Sequence, residues 1–149
     1  MTTDAPTKPL TPAIDGWFEI GNQTAPPHLL GTQCRACATY FFPRETVRCR
    51  NPRCGAAELD EVPLSRRGTL WSYTNGCYKP PPPYVAEEPF EPYTIAAVTL
   101  DKEQMTVLGQ VEGATVDDLR VGMPMELIVG RLFEDDESVH VVWKWRPAS

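Results

Sequence analysis

Four cysteines that lie close together in two pairs constrain this chain more than any other feature. Two residues separate Cys34 from Cys37, and four residues separate Cys49 from Cys54. Zinc binds four thiolates in a tetrahedron, and two turns that each supply two cysteines provide that arrangement. The spacing therefore predicts one structural zinc ion (Zn2+) held by Cys34, Cys37, Cys49 and Cys54, with buried free cysteines as the alternative.

The context of the cysteines favours a metal over disulfide bonds. Disulfide frameworks of secreted proteins usually spread an even number of cysteines along the chain. Here the total is five, and Met1 to Pro9 lack the apolar core of a secretory signal. No apolar run approaches the roughly 20 residues of a membrane span. We therefore expect a cytoplasmic protein with a metal site and no membrane partner.

The residues after Arg67 are rich in β-formers and alternate in polarity. Strands are expected at 68–74, 93–100, 105–111, 125–133 and 139–145, with one short helical turn at 116–120. Few strands, hairpin connections and a single helical turn are typical of a small barrel such as the five-stranded OB-fold.

The whole chain is expected to be mainly β, in three segments. Residues 1–28 form an N-terminal arm, in which Asp15 to Gly21 is predicted to be a short helix with an apolar side. Residues 29–64 form the four-cysteine zinc ribbon, and residues 65–147 form the OB-fold barrel. The ribbon holds too few apolar residues to fold without its metal, so the zinc is expected to be structural.

Charge argues against nucleic acid as a partner. The net charge is −6, whereas phosphate neutralisation by cations supplies most non-specific affinity. Basic residues are nevertheless concentrated in the ribbon, chiefly Arg48, Arg50 and Arg53. They form either an ordinary solvated surface or a patch for phosphate or an acidic partner.

A proline-rich segment runs from Pro80 to Pro92 and carries interleaved aromatic residues. Tyr84 and Phe90 lie within it, and Tyr93 follows it. Prolines stiffen such a segment into an extended loop between the first two barrel strands. A long loop with exposed aromatic residues favours contact with another molecule, although a plain connector is the alternative.

No catalytic motif is visible. His28 and His140 are the only histidines, and no metalloprotease, nucleophile-elbow, phosphate-loop or dinucleotide pattern occurs. His140 is expected to be a packing or surface residue, and Cys77 a small packed one. The chain alone is therefore not expected to be an enzyme.

In order along the chain, five motifs carry a family resemblance. The four-cysteine ribbon is followed by 63–74 (PLSRRGTLWSYT), the proline-rich loop, 92–100 (PYTIAAVTL) and 119–127 (LRVGMPMEL). Together they resemble the bacterial zinc-ribbon plus OB-fold proteins associated with acyl-CoA metabolism, formerly a domain of unknown function. The chain departs from that pattern in the longer spacing before Cys54 and at Ala38, where glycine often follows the second cysteine.

The resemblance implies a non-catalytic accessory subunit. Its partner would be a thiolase-fold, lipid-transfer-protein-like aldolase that cleaves a steroid side-chain CoA thioester by a retro-aldol reaction. This chain would help to form the acyl-CoA channel and stabilise the catalytic subunit, with contacts to partner or CoA from Arg48, Arg50, Arg53, Tyr84, Phe90 and Tyr93. Two alternatives remain: an OB-fold nucleic-acid binder that stacks bases on its aromatic residues, and a stand-alone CoA-ester binding scaffold.

Overall fold

Regular structure is almost entirely β in the computed structural model, which describes residues 8–22, 24–82 and 90–148. Ten strands are present in these residues. They are β1 (Leu10–Pro12), β2 (Phe18–Glu19), β3 (His28–Cys34), β4 (Tyr40–Phe41), β5 (Leu59–Pro63), β6 (Arg67–Gly76), β7 (Tyr93–Leu100), β8 (Thr106–Val111), β9 (Pro124–Glu134) and β10 (Val139–Pro147). Helical structure in the described ranges amounts to one 3-10 turn, Val116–Asp118, which is far too short to cross a membrane.

Five of the strands close into a barrel. β6 pairs antiparallel with β7 and with β9, and β7 continues antiparallel to β8. β10 completes the circuit, because it pairs antiparallel with β9 along its whole length and parallel with β8 at Lys144 and Trp145. This closed arrangement is that of an OB-fold, so the prediction of a five-stranded OB-fold barrel is confirmed.

Every second residue of each barrel strand points inward, and these side chains fill the barrel interior. In β7, Ala96, Val98 and Leu100 are each fully buried, and their register partners on β6 and β8 face the same interior. Trp145, with an exposure of 0%, is the largest of the fully buried side chains. Each such large apolar side chain contributes about 1.5–3 kcal/mol through burial, so the barrel carries the main core.

The ribbon is built around β3, whose two edges are both used. One edge pairs with β5 from Leu30 to Cys34, and the other pairs with β2 and then with β4 at Thr32 and Gln33. The first zinc-ligating position, Cys34, is therefore the last residue of the central ribbon strand. This placement fixes the first cysteine turn on a hydrogen-bonded frame.

The predicted helix from Asp15 to Gly21 is wrong. Gly16 adopts φ +82° in a turn, and Phe18 then pairs with Leu29 in an antiparallel ladder. Phe18 is 3% exposed, so its burial and the ladder hydrogen bonds replace those of a helix. A short apolar run does not distinguish helix from strand by periodicity, and here tertiary pairing decided. Nearer the terminus, Leu10–Pro12 pairs parallel with β10.

Arm, ribbon and barrel share one hydrophobic core. Trp143 of β10 stacks on Trp17 of the arm and makes edge contacts with Phe18 and with Phe42 of the ribbon, at centroid distances of 5.7–6.0 Å. The core also joins Leu29 and Leu64 to the barrel residues. The domain boundaries after residues 28 and 64 stay a prediction, because this shared core runs across both.

Candidate metal centre

The four clustered cysteines meet at one point. Their sulfur atoms all lie within 4.8 Å of one another. Cys34 Sγ lies 3.7 Å from Cys54 Sγ, and Cys37 Sγ lies 3.5 Å from Cys49 Sγ. Zinc–sulfur bonds of about 2.3 Å in a tetrahedron place the sulfurs roughly 3.8 Å apart. The spacing of these thiols therefore fits a four-thiolate zinc site.

Each cysteine pair is held by a hydrogen-bonded turn. In the first, the Ala38 amide donates to the Cys34 carbonyl and the Cys34 amide donates to the Thr39 carbonyl, both at 2.9 Å. In the second, the Cys54 amide donates to the Asn51 carbonyl at 2.9 Å. These hydrogen bonds define the two turns that bring the thiols within reach of one metal ion.

Both turns end in a residue with a left-handed backbone. Ala38, directly after Cys37, has φ 65°, and Gly55, directly after Cys54, has φ 69°. Glycine adopts this conformation freely, whereas a Cβ destabilises it. This equivalence explains why glycine is common at the position of Ala38 and why alanine there is a departure rather than the loss of a ligand.

Burial and hydrogen bonding perturb the thiols in opposite directions. Burial raises the pKa of the Cys49 thiol to about 12, and the Thr39 hydroxyl, 3.1 Å from Cys37 Sγ, lowers the pKa of the Cys37 thiol to about 6. Asn51 Nδ2 also donates to Cys37 Sγ at 3.7 Å. A bound zinc ion would replace the thiol protons, as metal ligation requires.

The chemistry of this centre is structural. Four thiolates fill a tetrahedral zinc, which leaves no coordination position for a substrate or an activated water. Within residues 8–22, 24–82 and 90–148, no other group of three or more metal-binding side chains occurs. What the centre does is hold the end of β3 and the two cysteine turns together.

A second polar cluster, in the β9–β10 hairpin, does not form a catalytic relay. His140 Nε2 lies 2.7 Å from Asp135 Oδ2 and 3.2 Å from Ser138 Oγ. A relay of the serine-hydrolase type needs the two partners on different ring nitrogens. Here both use Nε2, and the ring stacks on Phe133 at 4.3 Å, so His140 is a packing residue as predicted.

The basic ribbon is largely paired internally. Arg50 is bonded to Glu45, and Arg35 and Arg44 form ion pairs with Asp60 and Glu61 respectively. Two further arginines are exposed and have no acidic partner in the part of the chain that the structure describes. They are Arg48 and Arg53. Of the predicted contact arginines, these two are therefore the ones left with an unpaired charge.

Of the three aromatic residues in and beside the proline-rich segment, the structure describes two. Tyr84 lies outside the described residues. Phe90 and Tyr93 contact each other edge to face, with ring centroids 6.0 Å apart. Cys77 is exposed, so the prediction of a packed residue is wrong: β6 ends at Gly76, and the chain leaves the sheet there.

A set of exposed apolar residues on the barrel was not identified from the sequence. Trp71, Leu108 and Val121 are 63–68% exposed. Trp71 follows the inward-facing Leu70, and Leu108 follows the inward-facing Val107. Strand alternation alone would have pointed both side chains outward, although it could not show that they lie on one surface.

A four-thiolate ribbon that leads directly into an OB-fold barrel defines a class of two-part, zinc-stabilised β-proteins. Residues 23–60 match the family described as ChsH2, rubredoxin-like zinc ribbon domain, and residues 61–131 match ChsH2, C-terminal OB-fold domain. The chain belongs to the ChsH2 family. Together with the four positioned thiols, the ribbon match confirms the prediction of one structural zinc.

Named relatives agree with this assignment. The chain is 30% identical to the benzoylsuccinyl-CoA thiolase subunit BbsA of Geobacter metallireducens, covering 84% of this chain and 77% of that protein. It is 29% identical to a DUF35 domain-containing scaffold protein of Methanocaldococcus jannaschii, covering 80% and 81%. Among solved structures it matches a chain of the Ltp2-ChsH2(DUF35) aldolase with a TM-score of 0.62 and 31% identity, covering 93% of this chain and 100% of that one.

Proposed function

We propose that this chain is a non-catalytic accessory subunit of a thiolase-fold acyl-CoA aldolase or thiolase complex. The observation that carries the proposal is the match, over 93% of this chain, to a chain of a two-component aldolase. A relative with 30% identity is itself described as a thiolase subunit. Two matched proteins are thus named as parts of an aldolase and of a thiolase that acts on a CoA thioester.

Within that class, we favour retro-aldol cleavage of a steroid side-chain CoA thioester by a lipid-transfer-protein-like partner. The match to an aldolase complex supports an aldol cleavage, and the steroid side chain is what the resemblance of the sequence motifs implies. The partner would supply the reacting groups, because the metal centre of this chain is closed and its only His–Asp–Ser cluster among the described residues lacks relay geometry. This chain would line part of the acyl-CoA channel and stabilise the catalytic subunit.

Two regions would meet the partner or CoA. The unpaired guanidinium groups of Arg48 and Arg53 suit CoA phosphates or acidic partner residues, whereas Arg50 is already bonded to Glu45. Phe90 and Tyr93, with Tyr84 of the same segment, suit an apolar partner surface, since a stiff proline-rich loop loses little entropy on docking.

The proposal is tested by reconstitution. The isolated chain is expected to cleave no acyl-CoA, and a mixture with a thiolase-fold protein from the same organism that co-purifies with it is expected to release the cleaved products. The double substitution Tyr84→Ala and Phe90→Ala is expected to weaken the complex and leave the zinc content unchanged. Lyase activity of the isolated chain, or full activity of that thiolase-fold protein without it, would contradict the proposal.

A stand-alone scaffold that binds CoA esters is the second candidate. It is favoured by the relative described as a scaffold protein, which aligns over 80% of this chain. A scaffold would bind several enzymes and need none of them for solubility. Direct acyl-CoA binding by the isolated chain, with no stable pairing to one catalytic subunit, would favour this candidate over the first.

A further inference from the structure

One side of the barrel is a sheet surface without charge. It consists of the outward-facing residues of β6 between Thr69 and Gly76, of β7 between Tyr93 and Thr99, and of β8 between Thr106 and Gln110. Register partners lie on the same side of a sheet, and the intervening residues face the core. None of the outward-facing residues is Asp, Glu, Lys, Arg or His, although charged residues make up 23% of the chain. We call this surface the neutral face.

Large apolar side chains project from the neutral face or border it. Trp71, at a bulge in β6, is 66% exposed, and Leu108 on β8 is 63% exposed. Beside Trp71 lies a groove of about 310 Å³, whose lining includes Val121, 68% exposed, and one charged residue, Asp101. Exposed aromatic and aliphatic residues on a surface without charge are what the centre of a protein–protein interface contains.

The groove is held open by backbone hydrogen bonds. The Gly122 amide donates to the Leu70 carbonyl at 2.8 Å, and the Leu70 amide donates to the Met123 carbonyl at 2.9 Å. These bonds fix the loop that carries Val121 against the strand that carries Trp71. A partner side chain can therefore enter a preformed groove, which reduces the entropy lost on binding.

We propose that the neutral face, with the groove beside Trp71 at its edge, is the surface on which this chain docks onto its catalytic subunit. The inference rests on the proposed function and adds the location of the interface. The partner surface would be a protein surface without net charge that offers an apolar side chain to the groove. Nucleic acid does not fit, because the face offers no cation to phosphate, and the matched structure is described as an assembly of two named proteins.

Area places Phe90 and Tyr93 in the same interface. Three strands about 4.8 Å apart and eight residues long present roughly 400 Å², whereas a stable interface buries about 800 Å² on each partner. The missing area is available next to the face. The Tyr93 ring lies directly over Gly76, where an added Cβ would be 2.8 Å from the ring, and Phe90 contacts Tyr93. The neutral face is thus continuous with the rings of Tyr93 and Phe90.

The test measures affinity for a thiolase-fold protein from the same organism. Trp71→Ala and Leu108→Glu are each expected to raise the Kd at least thirtyfold, the usual effect of losing an interface hot spot. Leu10→Glu is the matched control, because Leu10 is also an exposed strand leucine, 53% exposed on β1, outside the neutral face. Its Kd is expected to stay within about threefold of the wild type. All three variants are expected to keep one zinc per chain.

The outcomes separate this inference from the proposed function. Wild-type binding that neither Trp71→Ala nor Leu108→Glu weakens would overturn the interface and leave the accessory role standing. No binding by the wild-type chain would overturn both. Self-association of the isolated chain that Leu108→Glu abolishes, measured by sedimentation without the partner, would assign the face to a second copy and overturn the inference. Loss of binding in all variants, including Leu10→Glu, would also overturn it.

Discussion

Trp17 of the N-terminal arm stacks on Trp143 of the last barrel strand, with ring centroids 6.0 Å apart and planes inclined by 18°. The contact joins two residues that are far apart in sequence and belong to different segments. Phe42 of the ribbon packs edge-on against both rings. Arm, ribbon and barrel are therefore expected to unfold together, and the metal centre is expected to depend on the barrel.

Trp17→Ala is the test of that coupling. Trp17 is half-buried, so its truncation should cost about 2 kcal/mol in the free energy of unfolding, below the 3–5 kcal/mol of a fully buried tryptophan. Urea denaturation of the zinc-bound protein measures the change. The control is Trp71→Ala, which removes a tryptophan that is 66% exposed and should change stability by less than about 0.5 kcal/mol. Equal effects of both substitutions would contradict the coupling.

Metal content provides the second prediction. Purified protein should hold about one zinc per chain, as a four-thiolate site requires. Cys34→Ser or Cys54→Ser should abolish metal binding and soluble expression, because the ribbon depends on the metal for folding. Cys77→Ser is the control, since Cys77 is exposed and lies outside the cluster, and it should retain zinc. A fully folded protein without any metal would remove the structural role.

The left-handed backbone after each cysteine pair predicts opposite effects on stability for substitutions at positions 38 and 55. Ala38→Gly should stabilise the ribbon by up to about 1 kcal/mol, since it relieves a φ of 65°. Gly55→Ala should destabilise it by about 1 kcal/mol through its φ of 69° alone, because the new Cβ would meet no atom within 4 Å. Thermal unfolding at fixed zinc concentration measures both changes.

Ala36→Gly controls for the entropy of an added glycine. Ala36 lies between the first two cysteines, is exposed, and is not among the residues with positive φ. The substitution should therefore destabilise the ribbon slightly, opposite in sign to Ala38→Gly. If both glycine substitutions act in the same direction, the backbone explanation for position 38 is wrong.

Asp135 gives the pH dependence of the β9–β10 hairpin. His140, with the amides of Ser138 and Glu137, lowers the pKa of the Asp135 carboxyl from its usual 3.8 to about 2. A lowered pKa means that the folded state favours the carboxylate. The resulting stability is present above pH 3.8 and is lost as the pH falls through about 2.

Asp135→Asn should therefore lower the Tm at pH 6. The four-thiolate site loses zinc in strong acid and the ribbon depends on the metal, so the two proteins are compared at pH 6, where the zinc is retained. Asp136→Asn, at an exposed neighbouring position, is the control and should leave the Tm unchanged. A Tm at pH 6 that Asp135→Asn leaves unchanged, or that Asp136→Asn lowers equally, would show that the Asp135 carboxylate is not the cause.

The zinc ribbon could be predicted from the sequence because its determinants are local. Ligand type and spacing are contained in Cys34 to Cys54, and a tetrahedral metal accepts few arrangements of two short turns. The barrel strands were predictable for a similar reason. The alternation of polarity over β7 and β8 can be read from neighbouring residues alone. The observed strands, Tyr93–Leu100 and Thr106–Val111, match the predicted ranges within one residue.

What the tertiary structure decided were the contacts between residues distant in sequence. The arm from Asp15 to Gly21 forms a turn and a strand because Phe18 finds Leu29 and the aromatic cluster around Trp143, information that no local pattern holds. Likewise, Arg50 resembled a free cation in sequence until the fold placed Glu45 against it. The neutral face exists only through the register of β6, β7 and β8, which brings together uncharged residues from three separate strands. The local sequence pattern determines where strands form, whereas tertiary packing determines which residues of different strands come into contact.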